Sequence, residues 1–165
     1  MRRIIRALVA APLCAALIVV QAAALTITSA PISFPGVTLD GTDQTVNGST
    51  SAWRADATGE AGGWHVTVAS SDFDNGSGKT IAVGNMEIRL LDVNIVRVSG
   101  DVNLPVSTQT TFASLSASAL KIATAAVGEG DGVYDMTPDF RLTVPAETYV
   151  GSYTATVTVD ISVGP

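Results

Sequence analysis

Ser152-Tyr153-Thr154-Ala155-Thr156-Val157-Thr158-Val159-Asp160-Ile161-Ser162-Val163 alternates without a break. Tyr153, Ala155, Val157, Val159, Ile161 and Val163 share one face, while Ser, Thr and Asp hold the other. Side chains of a strand point to opposite faces in turn, so this period of two predicts a strand with one dry and one wet side. That division belongs to antiparallel sheets covered on one face.

Working outward, Trp64–Val68, Phe140–Val144 and Met86–Leu90 repeat the pattern in shorter form, and Leu91–Val98 extends the last of these. Ala52–Ala57, Leu120–Val127 and Leu25–Leu39 are weaker strand candidates. Glycine-rich turns at 59–63, 75–78 and 128–132 separate them. Ser114–Ala126 alone has apolar residues near helical spacing, against a high Ser and Thr content. The expected fold is all-β: a single-domain antiparallel β-sandwich of about seven to nine strands, with at most one short helix.

Residues 1–24 read differently. Arg2, Arg3 and Arg6 precede an apolar run from Ala7 to Val20, followed by Ala22-Ala23-Ala24. That order predicts a cleaved secretory signal peptide, leaving 25–165 as the domain. A spanning helix needs about 20 apolar residues, so no membrane span is expected in the mature chain. The only cysteine, Cys14, falls within the signal, so the mature chain has no disulfide to staple it. Setting aside the three signal arginines leaves 6 basic against 15 acidic residues, a formal charge of −9. Such a surface repels nucleic acid and anionic lipid, and neither is an expected partner.

Residues able to support catalysis are sparse. His65 is the only histidine and lies on the polar side of its strand. There is no Gly-x-Ser-x-Gly turn, and one histidine without cysteine does not make the usual zinc site. Asp72, Asp74, Asp131, Asp135 and Asp139 fall in or near loops and read as solvated carboxylates. No catalytic residue, cofactor or metal is expected. Asp72-Phe73-Asp74-Asn75 and Gly128-Glu129-Gly130-Asp131-Gly132 space oxygen ligands in a way that suits calcium, but both lack a full ligand set and read first as turns.

Aromatic side chains are the remaining candidates, since they stack on sugar faces. Trp53, Trp64, Tyr149 and Tyr153 are the candidate contact residues. Trp64 and Tyr153 open the dry faces of their strands and are expected in the core, whereas Trp53 and Tyr149 lie nearer turns and are expected outside.

Two stretches carry a family resemblance. Gly59-Glu-Ala-Gly-Gly63-Trp64-His-Val66 is a glycine-rich turn feeding a strand that begins Gly-Trp, and Pro145-Ala-Glu-Thr-Tyr149-Val-Gly151-Ser-Tyr153 opens the final strand. With Ala125–Tyr134, they resemble the WxL domain of Gram-positive surface proteins over most of residues 50–165. The chain departs from that pattern twice: Val66 replaces the first Leu, and the last strand has no Trp. The resemblance implies a secreted, extracellular protein held non-covalently at the cell wall, with peptidoglycan or other wall proteins as partners. No Leu-Pro-x-Thr-Gly sorting signal is present, since Leu104-Pro-Val-Ser-Thr108 is internal. Two alternatives stay open: a filament or fimbrial subunit with Leu25–Leu39 as a donor strand, and, less well supported, a small wall hydrolase.

Overall fold

The computed structural model describes residues 25–165, and the expected signal peptide lies outside them. Strands run in the order β1 (Thr26–Thr28), β2 (Gln44–Gly48), β3 (Trp53–Asp56), β4 (Trp64–Ser70) and β5 (Phe73–Asp74). β6 (Thr80–Ile81), β7 (Met86–Arg89), β8 (Ile95–Gly100) and β9 (Val106–Ser107) follow. β10 (Ala113–Ser114), β11 (Leu120–Ala125), β12 (Gly132–Met136), β13 (Asp139–Val144) and β14 (Val157–Val163) complete the described chain.

Nine of these strands have four residues or more, and the rest are short bridging pieces. The all-β expectation holds, with helix among the described residues confined to single 3-10 turns at Val83–Asn85 and Asp92–Asn94. Three four-stranded antiparallel sheets form, ordered β1-β3-β12-β8, β10-β7-β13-β2 and β14-β4-β11-β9, beside a small β5-β6 pair. Their dry faces share one core. Trp53 of β3 packs on Phe140 of β13 with ring centroids 5.8 Å apart, and Trp64 of β4 packs on Tyr134 of β12 at 6.0 Å. Aromatic contacts therefore tie the sheets together pairwise where no disulfide does.

Ser114–Ala126 forms no helix. Ala113–Ser114 and Leu120–Ala125 are strands joined by the exposed Ser116–Ala119, and a β-bulge between Lys121 and Ala123 lets the neighbours Ile122 and Ala123 both be buried on one strand. The last strand is also shorter than its alternation suggests. Its ladder to β4 begins at Val157, while Thr154 bridges Asp74 of β5 in a shifted register. Because β14 is an edge strand, Val157, Val159 and Ile161 are only half-buried.

Candidate functional site

A groove of about 1080 Å³ opens between the stretch 29–39 and the approach to β14. Residues 29–39 cross from one sheet to another: β1 pairs with β3, and then Ser33 exchanges backbone hydrogen bonds with Ser49 at 2.9 and 2.8 Å. Phe34 meets Phe73 edge to face at 6.3 Å, which seats this stretch on the core. Pro31 and Pro35 lack the N–H that a longer ladder would require, so the stretch covers the core as a strap rather than as a strand.

The opposite wall follows from the turn after β13. Ala146 N–H donates to Asp43 Oδ1 at 2.8 Å, and Thr148 N–H donates to Pro145 O at 3.0 Å. This folds the chain back so that Tyr149 and Tyr153 meet at the groove mouth, where Tyr153 Oη–H donates to Tyr149 O at 3.0 Å. Tyr149 is 61% exposed, and Lys79 Nζ lies 4.1 Å from the centroid of its ring. Tyr153 is half-buried against the core, so its expected inward packing coexists with a place in the groove wall.

The two tryptophans separate from this pair. Trp64 is fully buried, and its Nε1–H donates to Gly130 O at 2.9 Å, so it is a core residue that reaches no surface. Trp53 requires a correction. It is only 1% exposed, because β3 is an interior strand between β1 and β12. Trp53, Ala55 and Ala57 form its dry side, an alternation already present in the sequence. Trp53 lines the deep side of the groove, its Nε1–H donating to Thr50 Oγ1 at 3.3 Å.

The carboxylates serve the scaffold. Asp72 Oδ1 accepts from Val83 N–H at 2.8 Å and Asp74 Oδ1 from Gly76 N–H at 2.6 Å. Asn75 Oδ1 accepts from Ser77 and Lys79 N–H, so the stretch read as a weak calcium site builds the β5–β6 turn. Asp131 Oδ1 likewise accepts from Gly59 N–H at 2.7 Å. Asp135 pairs with Arg54 through two 2.8 Å bonds, which hold its carboxyl below the ordinary value. Asp139 pairs with Arg89 at 2.8 Å. His65 Nδ1 lies 2.6 Å from Gly164 O, beside the last strand. Among the described residues, no three His, Cys, Asp or Glu side chains converge as a metal site would require.

No charged side chain lines the groove among the described residues. Its chemistry is apolar contact, aromatic stacking and neutral hydrogen bonding. The strap at 29–39 and the role of Lys79 escaped the sequence reading. The strap's apolar residues alternate at Ala30, Ile32 and Phe34 but shift phase before Val37 and Leu39, with prolines between, so they read only as a weak strand; Lys79 meets Tyr149 only through tertiary folding.

No family model and no curated protein matches the chain. Among solved structures, it is similar to a family 123 glycoside hydrolase from Clostridium perfringens, with a TM-score of 0.40 and 16% identity. The alignment covers 74% of this chain and 19% of the hydrolase, so the chain spans less than a quarter of that enzyme. A likeness of that degree transfers neither activity nor substrate.

Proposed function

We infer that this chain is a non-catalytic surface module, exported and held non-covalently at the bacterial cell wall, with Tyr149 and Tyr153 at the contact. The observation that carries the reading is that Tyr149 and Tyr153 both line an uncharged groove, joined by the hydrogen bond from Tyr153 Oη–H to the Tyr149 carbonyl. An exposed ring with a cation over one face leaves the other face for a sugar, and Lys79 supplies a charge beside it. Two further features support the reading. The described carboxylates are largely spent on turns and ion pairs rather than set as an acid and a base. The Gly-Trp turn and the Pro-Ala-x-Thr-Tyr-x-Gly-x-Tyr turn also resemble those of WxL domains.

Co-sedimentation of residues 25–165 with purified insoluble peptidoglycan, with and without calcium, tests this. The protein is expected in the pellet at moderate salt whether or not calcium is present. Recovery in the supernatant under both conditions would remove the wall reading.

A further inference from the structure

The edge of β14 leaves part of its backbone unclaimed. In an antiparallel ladder, residues alternate between those whose N–H and C=O bond the neighbour and those whose groups point away. On β14 this parity is fixed at both ends: Ser71 N–H donates to Thr156 O at 3.0 Å, and Gly164 N–H donates to Gly63 O at 2.8 Å. The register runs unbroken between them, so Thr158, Asp160 and Ser162 bond β4. Ala155, Val157 and Val159 therefore direct their N–H and C=O groups to the open side, where no strand among the described residues pairs.

The same three residues line the groove. Their side chains are half-buried on the inward face. A strand laid along this edge would place its own alternate side chains on that face, beside theirs, and so into the groove. β1 approaches β14 without a ladder, but β1 and Ile161 do not line the groove, which leaves the opening at Ala155–Val159.

We propose that this slot accepts one additional strand from another protein: an extended, uncharged segment with apolar side chains at alternate positions, antiparallel to β14. Each term has its own reason. The free backbone donors and acceptors favour a peptide over an acyl chain, which would leave them unsatisfied. The lining has no charged side chain, so a charge on an inward position would be buried without a partner. Every strand pairing among the described residues is antiparallel. The segment read as a donor, Leu25–Leu39, is already folded on its own chain, with Ile27 opposite Ala55 and Ser33 bridged to Ser49. That segment is therefore not free to fill the slot. The slot shares its groove with Tyr149 and Tyr153 but does not rest on wall attachment, and its test contains no wall.

The probe is a fluorescein-labelled peptide alternating Val and Thr, with lysine pairs at both ends for solubility, titrated by fluorescence anisotropy. Directly opposed residues share a face, so the peptide's valines sit in the groove and also bond the edge. N-methylation of the valines is expected to weaken binding about tenfold or more, whereas N-methylation of the threonines leaves it unchanged. Val159→Pro removes an outward N–H and is expected to weaken binding similarly, with its melting temperature measured alongside. These arms use wild-type protein except the last, so misfolding of the variant does not decide the outcome. The proposal is overturned by absence of saturable binding, by equal binding of both methylated peptides, or by equal binding of a peptide with its valines grouped together. Dimerisation of the protein that Val159→Pro abolishes would assign the slot to a second copy and likewise overturn it.

Discussion

Trp64 shows how much rests on single side chains in a fold without disulfides. Its ring is fully enclosed against Tyr134, and its one polar atom is satisfied by Gly130 O. Trp64→Ala is expected to cost about 3–5 kcal/mol, read from urea unfolding. Gly130 has a φ of +73°, and an added Cβ would lie 2.5 Å from Ala125 Cβ and 3.0 Å from Trp64 Nε1. Gly128 has a similar φ of +79° but open space around it. Gly128→Ala is thus expected to cost only the left-handed backbone, about 1–2 kcal/mol, and Gly130→Ala clearly more. Equal unfolding midpoints for the two variants would show that the Trp64 site has room to give. The core role of Trp64 was legible from period two. That of Trp53 was legible in the same way, from Ala55 and Ala57, but its nearness to a turn outweighed the pattern. Strand order decides such cases, and neighbours distant in sequence set it.

At the scale of elements, alternation marked strands reliably and edges not at all. β14 carries the most regular pattern in the chain yet buries its dry face only partly, because nothing in local sequence says which strand lacks a second neighbour. The bulge in β11 obscured a strand for a related reason, since one extra residue breaks the period of two. The tyrosines of the candidate site were legible as residues, but the groove beside them was not, because the strap that forms its far wall reads as a weak strand and comes opposite them only through tertiary folding. Edge parity makes a sharp prediction of its own. Thr158→Pro removes a ladder bond to β4 and leaves a carbonyl there without its donor, costing about 1–3 kcal/mol. Val159→Pro removes only an outward N–H and is expected to cost markedly less, as proline is tolerated at a strand edge. Thermal melts of the pair check this, and a reversed order would mean that the parity is wrong.

The whole molecule is acidic and held by packing, turns and a few ion pairs, which gives it a definite response to pH. Arg54 holds the Asp135 carboxyl below its ordinary value of 3.8 through their hydrogen bonds, and Thr58 and Thr42 do the same for Asp56 and Asp40. A carboxyl lowered in the folded state contributes stability above its unfolded value and loses it as pH falls through the folded one. The melting temperature is therefore expected to hold between about pH 5 and 7 and to fall below about pH 4. Asp135→Asn is expected to flatten part of that fall; an unchanged acid limb would show that the pair adds nothing. Function, on this account, divides the four aromatic candidates by burial: two tryptophans hold the sheets together, and two tyrosines meet the outside. The most direct test measures peptidoglycan co-sedimentation and melting temperature together for Tyr149→Ala. The variant is expected to shift from pellet to supernatant with its melting temperature unchanged; sedimentation like that of the wild type would rule out contact through Tyr149.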